Sequence, residues 1–391
     1  MNNEVSTLLN QFASETFKKF KIIVQNIAKN DGFFGSLTFI TIEGVSWIGN
    51  ENKTLCVAVK MQKDDLKGML KDVSEVIFEE EIFIYNEVFP AFENIQTNLV
   101  RIFRPYPRCL KCFARHNTLI FEDLKAQGYK MYNKDVPMDF EHCKKVMEVF
   151  GKFHALSFGL KNHNNSLFNK LATHVHKLSL MHVEKSIYRK FDVHSRSMEE
   201  ALELLKEKGD NLLSEAMQAV VASWELKFNG YFDVDEQQSV FAHGDGWNNN
   251  MMFSYNEDNA LESARLVDWQ LADIRTPVYD ICLFLYSSCG DFANFDKLIS
   301  IYHESLVKFL VLLNTDPEVF TFQDLKDHLK KYTPFIIMHL PFLMKFVFSD
   351  GRIEDFDENS EDTIRFPPLK KDLIYSRIKS AFQHYYATYV K

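Results

Sequence analysis

The stretch around residues 240–280 constrains this chain more than any other. It reads SVFAHGDGWNNNMMF, then a polar turn, then ARLVDWQLADIRTPVYDI. Asp245 follows His243 and Gly244, and Asn250 stands five residues after Asp245. Asp268 closes the apolar run Leu266-Val267, and Asp280 opens a second apolar run. The pattern fits strand, loop, strand, turn, strand, with YDICLFLYSSCG reading as a buried helix.

That spacing suits one chemistry. Phosphoryl transfer from ATP asks a protein for positioning, for metal to neutralise charge, and for a carboxylate that receives the attacking hydroxyl's proton. Protein kinases put the carboxylate in His-Arg-Asp, with a metal-binding Asn five residues later and a metal-binding Asp on a following strand. His243-Gly244-Asp245, Asn250 and Asp268 reproduce the layout. Magnesium takes oxygen ligands, and Asn250 and Asp268 supply an amide and a carboxylate oxygen.

His-Gly-Asp-x-Trp-x-x-Asn, Val-Asp-Trp-Gln and Asp-Ile-Cys together resemble the ecdysteroid-kinase-like (CHK-like) proteins, relatives of choline and aminoglycoside kinases. The usual form there is HGDxWxxN followed by DFQ. Here Gly246 replaces a common Leu, an expected loosening beneath the loop, and Trp269 replaces a common Phe, which keeps an aromatic ring. The resemblance covers most of the chain. It implies an α+β, bilobal protein-kinase-like fold: a small β-rich N-lobe over 1–123 and a larger, mainly helical C-lobe over 124–391. It also implies Asp245 as catalytic base, Asn250 and Asp268 as magnesium ligands, and Asp280 as a brace for the catalytic loop.

The N-terminal third agrees with that expectation. Val5, Leu8, Leu9 and Phe12 have helical spacing. FKIIVQNIAK, LTFITIEG and TLCVAVKM read as three strands joined by tight turns. In a kinase lobe the first turn would lie over the nucleotide phosphates, which places Gly32, Gly35 and Ser36 there; glycine lets backbone N–H groups approach anionic oxygens. Lys60, in Val-Ala-Val-Lys, resembles the phosphate-pairing lysine of kinases. SEVIFEEEIFIYNEVFP reads as a helix stopping at Pro90, on which Glu79, Glu80 and Glu81 are all candidate partners or a solvated charge run. The family's Glu-x-x-x-Tyr selects Glu81, four residues before Tyr85. The family also implies that Glu122-Asp123-Leu124 is the hinge between lobes. Backbone groups of Glu122 and Leu124 would meet the adenine edge there, with Ile120 and Phe121 supplying apolar surface.

FEHCKKVMEVFGKFHALSFGL has helical spacing, and His154 in it reads as a satisfied core histidine. Thr321-x-x-Asp324 resembles a capping box. Residues 351–362 are acidic and read as a surface loop, with Pro367-Pro368 ahead of a final helix. The net charge is −9 and no basic stripe appears, which argues against nucleic acid as a partner. The apolar stretch 335–348 carries His339, Pro341 and Lys345 and falls short of a membrane span. The N-terminus shows no secretory signal, so a cytoplasmic protein with reduced thiols is expected. Cys109 and Cys112 form one CxxC without a second ligand pair, which argues against structural zinc.

These readings converge on an ATP- and magnesium-dependent kinase for a hydroxyl of a small molecule, with an ecdysteroid-like or other lipophilic alcohol first. A choline or ethanolamine kinase and an inactive small-molecule-binding protein are the alternatives. Oligomeric state is not legible.

Overall fold

The computed structural model describes residues 3–27, 34–185, 193–224, 236–349 and 370–391. Gly32, the acidic stretch 351–362 and Pro367-Pro368 lie outside the described residues.

The chain opens with helix α1 (Asn3–Thr16), then strands β1 (Phe17–Ile27), β2 (Gly35–Ser46) and β3 (Asn52–Gln62). Helix α2 (Gly68–Phe83) crosses to β4 (Cys109–Phe113) and β5 (Thr118–Glu122). The five strands form one antiparallel sheet in the order β1-β2-β3-β5-β4. Strand periodicity sorts its side chains between two cores. Ile40, Ile42, Val57, Val59 and Ile120 face α1 and pack with Val5, Leu9 and Phe12. Phe39, Ala58, Leu119 and Phe121 face the other way and join the main core. Ile120 and Phe121 therefore do not line one pocket: adjacent strand residues point to opposite faces, and Ile120 is spent beneath α1.

The expected stop at Pro90 does not occur. After α2 comes a single π-helical turn, Ile84–Val88, closed by the Phe89 N–H on the Ile84 carbonyl, and then α3 (Phe89–Asn94). The extra residue in that turn shifts Pro90 into the first turn of α3, where no intrahelical N–H is needed.

The rest is mainly helical. After the short strand β6 (Lys130–Met131), α4 (Phe140–Lys185) runs with one break at Asn164 (φ −154°, ψ 76°). The Asn164 side chain accepts the Leu167 N–H at 3.0 Å and so caps the second half. Then come α5 (Val193–Glu207) and α6 (Asn211–Trp224). Strand β7 (Val240–Ala242) pairs with β10 (Asp273–Arg275), a strand that the sequence pattern did not announce. Between them β8 (Met251–Tyr255) and β9 (Leu261–Leu266) form a hairpin that also pairs with β6. Helices α7 (Val278–Ser288), α8 (Phe295–Leu312), α9 (Phe322–Phe348) and α10 (Lys371–Tyr385) complete the order. The Thr321–Asp324 capping box is present, and α9 continues through both Pro334 and Pro341. No helix among the described residues is long and apolar enough to cross a membrane. This is the α+β organisation expected, a β-rich N-terminal part followed by a helical one.

Candidate active site

The loop after β7 is shaped by its glycine. Gly244 has φ +79°, and a Cβ there would lie 1.7 Å from the Leu271 carbonyl oxygen. No other residue fits between those backbones. The loop is then tied from below. The Asp280 carboxylate, in the first turn of α7, accepts the His243 N–H at 2.7 Å and the Gly244 N–H at 3.0 Å. His154 Nε2–H donates to the same carboxylate at 3.1 Å, and Tyr302 donates to His154 Nδ1 at 2.9 Å. His154 is thus the satisfied core histidine expected, but it also takes part in holding the loop. Tyr302, on α8, carried no sequence signal.

His243 links the two halves of the site. Its Nε2–H donates to the Val267 carbonyl at 3.0 Å and its Nδ1 accepts the Asp245 N–H at 3.2 Å. Those partners define a neutral ring, and burial lowers its pKa in the same sense. Below the loop, Phe150 occupies the room beside Gly246: its ring is 3.1 Å from where a Cβ would stand. The expected loosening is absent, because the larger ring fills the space.

Asn250 donates both amide hydrogens to Asp245, to the carbonyl at 3.0 Å and to the carboxylate at 2.7 Å. Its amide oxygen is thereby turned the other way. The Val267 N–H donates to the Asn250 carbonyl at 2.9 Å, which sets Asn250 beside the strand leading to Asp268. Asp268 itself is left-handed, φ +67°, a conformation Asp tolerates better than most residues. Burial, and next the charge of Asp268, push the Asp245 carboxyl up to about 7, against hydrogen bonds from Asn250 and Trp247.

Lys60 stands at the end of β3 between two carboxylates. Its Nζ is 2.5 Å from Glu81 Oε2 and 2.6 Å from Asp268 Oδ1. Burial alone would lower the ammonium's pKa, but Asp268 and Glu81 overcome it and hold the lysine charged. The second Glu81 oxygen accepts the Trp269 N–H at 3.2 Å. One glutamate from α2 therefore fixes both Lys60 and the backbone just after Asp268. The Trp269 ring is buried against Phe89, Phe153 and His243. Gln270 approaches the other Asp268 oxygen at 3.4 Å. It stands in the Val-Asp-Trp-Gln motif, which was its only signal.

Glu79, Glu80 and Glu81 separate cleanly. Glu79 is exposed and Glu81 is the lysine partner. Glu80 is buried, and neither carboxylate oxygen meets a hydrogen-bond partner among the described residues. Burial, with Asp273 nearby, lifts its pKa well above the usual value of 4.5, while Arg275 opposes. The native state therefore holds a proton that the unfolded chain sheds, and stability falls as pH rises above the unfolded value. Glu80→Gln is expected to stabilise the fold by about 1–3 kcal/mol at neutral pH, with less gain near pH 5. Urea unfolding at the two pH values checks this, and an equal gain at both counts against it.

The remaining candidates are more scattered. Gly35 and Ser36 are the first residues of β2, paired with Gln62 and Met61. Gly35 backs onto Phe78, whose ring lies 5.7 Å from Lys60 Nζ. At the end of β5 the Glu122 side chain accepts the Arg108 N–H at 2.8 Å, and the Glu122 N–H donates to Arg108. The Leu124 carbonyl accepts from Gln127 and Tyr129, while the Leu124 N–H meets no acceptor among the described residues.

The donor set suits magnesium. Among the described residues no group of three His, Cys, Asp or Glu could hold a metal alone. A small hard cation that keeps water and takes its other ligands from phosphates needs only one or two protein oxygens. The outward amide oxygen of Asn250 and the carboxylate of Asp268 are oxygens of that kind.

A family model described as the ecdysteroid kinase-like family matches residues 29–315. No curated protein matches the sequence significantly. Among solved structures, the chain is similar to the choline kinase LicA of Streptococcus pneumoniae, at 11% identity and TM-score 0.42, over 98% of this chain and 100% of that one. A choline/ethanolamine kinase family protein of Mesorhizobium loti gives 10% identity and TM-score 0.40, over 92% and 88%. An aminoglycoside phosphotransferase of Alicyclobacillus acidocaldarius gives 11% identity and TM-score 0.39, over 96% and 94%.

Proposed function

The chain belongs to the ecdysteroid kinase-like family, and from that premise we propose that it moves the γ-phosphoryl group of ATP onto a hydroxyl of a small molecule. The observation carrying this reading is the charge arrangement around Lys60. A buried ammonium held between Glu81 and Asp268 is a fixed cation for phosphate oxygens, beside two oxygens suited to metal and a carboxylate poised near neutrality. In this reading Asp245 accepts the proton of the acceptor hydroxyl as its oxygen bonds to the γ-phosphorus. The bond to the β–γ bridging oxygen breaks, and ADP leaves with that oxygen. Bound magnesium supplies charge neutralisation on the phosphates. Asn250 and Asp268 would hold it, while His243 and Asp280 keep the loop in register.

Adenine would lie against the end of β5. The Leu124 N–H is a donor for a ring nitrogen, and the Glu122 carbonyl is the acceptor two residues earlier. Gly35 and Ser36 would form the near edge of the phosphate cover, together with Gly32. The division into an N-lobe ending at residue 123 belongs to the same reading, since Glu122 closes the last strand of the N-terminal sheet.

For the acceptor we rank steroid-like and other lipophilic alcohols first, on the family's name and on an aromatic-rich helical part with Trp247 beside the loop. Choline or ethanolamine ranks second, since a cation asks for an aromatic cage. The compartment in this reading is the cytoplasm. An ATP-consumption assay with ecdysone-type steroids, simple lipophilic alcohols, choline and ethanolamine is expected to show turnover with the first two classes. Turnover with choline alone removes the lipophilic acceptor and keeps the kinase. No ATP turnover with any acceptor in a metabolite extract favours an inactive binding protein.

A further inference from the structure

Away from the candidate site, two thiols meet in the core. Cys143 lies in the first turn of α4, and Cys289 follows the last residue of α7. Both are buried, and their sulfurs are 3.0 Å apart. The backbone holds them together: the Met138 N–H donates to the Ser288 carbonyl at 2.9 Å, and Met138 bridges to Cys289 in parallel. The chain is thus pinned where the two sulfurs approach, and a disulfide asks them to close to about 2 Å.

A second feature points to the same spot. Arg377 reaches in from α10 and is only 3% exposed. Its Nη1 donates to the Ser288 carbonyl at 2.9 Å, but Nε and Nη2 meet no acceptor among the described residues. A Cβ on Gly290 would stand 4.0 Å from Nη1, so residues 288–290 pass alongside the guanidinium. Arginine does not shed its proton, and a buried charge without a counter-ion is costly. Burial lowers its pKa, against the opposing influence of Cys289, Tyr132, Cys143 and Asp135. Asp135 is already paired with Lys370. The hydrogen bond to Cys289, and then burial, keep the proton on Cys143. Cys289, next to the Ser288 carbonyl that Arg377 holds, is therefore the sulfur placed to attack first.

We propose that Cys143 and Cys289 are an oxidisable thiol pair that a hydroperoxide closes into a disulfide, with Cys289 as the attacking sulfur. The Cys289 sulfur attacks a peroxide oxygen and the O–O bond breaks. The released oxygen takes a proton and leaves as water or an alcohol, and Cys289 becomes a sulfenic acid. The Cys143 sulfur then attacks the Cys289 sulfur. The S–O bond breaks, and hydroxide leaves with the Cys143 proton as water. Two thiols lose two electrons and the peroxide gains them. The new bond joins the start of α4 to the end of α7, the helix whose first turn holds the His243–Gly244 loop.

The test treats the full chain with hydrogen peroxide and maps its peptides without reduction. A Cys143–Cys289 cross-linked peptide is expected. In Cys143→Ser the reaction is expected to stop at a sulfenic acid on Cys289, trapped by dimedone, and in Cys289→Ser the Cys143 thiol stays unreacted. If Cys143 and Cys289 stay reduced while the half-buried Cys56 and Cys112 are oxidised, the proposal is overturned. A sulfenic acid on Cys143 in the Cys289→Ser protein overturns the assignment of the nucleophile.

Discussion

Asp245→Asn is expected to lower phosphoryl transfer by about 10²–10⁴-fold, the range general base catalysis contributes, with ATP binding little changed. The substitution is nearly isosteric. The introduced amide oxygen can still accept the Asn250 Nδ2–H that now meets the carboxylate at 2.7 Å. The hydrogen bond from the Asp245 N–H to His243 Nδ1, 3.2 Å in length, does not involve the Asp245 side chain at all. What disappears is the proton acceptor that burial, and next the charge of Asp268, lift to about 7, and with it the repulsion between the two carboxylates. Loss of that repulsion leaves magnesium-ATP binding the same or tighter. The effect should therefore fall on kcat and leave the nucleotide's KM alone, which steady-state kinetics with any active acceptor would measure. Near-wild-type turnover would remove Asp245 from the chemistry.

How much of this was legible beforehand follows from how locally each residue is specified. Asp245, Asn250 and Asp268 lie within one stretch, and the spacing that marks them is also the spacing that the loop and hairpin geometry requires. Lys60 and Glu81 were legible for a related reason: a strand end and a helix register each fix which way a side chain points. The supporting contacts were not. Tyr302 reaches His154 and, through it, Asp280 from helices far apart in the chain, and nothing near residue 302 announces that contact. Phe150 making good the small Gly246 is equally a fact of packing between distant segments. The π turn ahead of Pro90 hides a continuing helix behind a residue that ordinarily ends one. Ile120 and Phe121 were grouped by neighbourhood, although strand alternation sends them to different cores.

The largest test of the metal reading is Asp268→Asn. The residue sits at φ +67°, a backbone that Asn also adopts without much strain, so the change isolates the charge. Asp268→Ala would add backbone strain to the same loss and is the weaker experiment. Lys60 keeps Glu81 at 2.5 Å in either case, so the buried ammonium is not orphaned and the fold should survive. Two opposing effects on ATP then separate. Without magnesium, removing a negative group beside the phosphate site leaves nucleotide binding unchanged or tighter. With magnesium, the cation loses its one charged protein ligand and binding weakens, while turnover falls by on the order of 10²–10³-fold, as when a preorganised charge-stabilising group is removed. Calorimetric titration of ATP with and without magnesium reads the two arms directly. Equal weakening in both would mean that Asp268 serves Lys60 and the backbone rather than a metal, and Asn250 alone would be too poor a ligand to sustain the magnesium site.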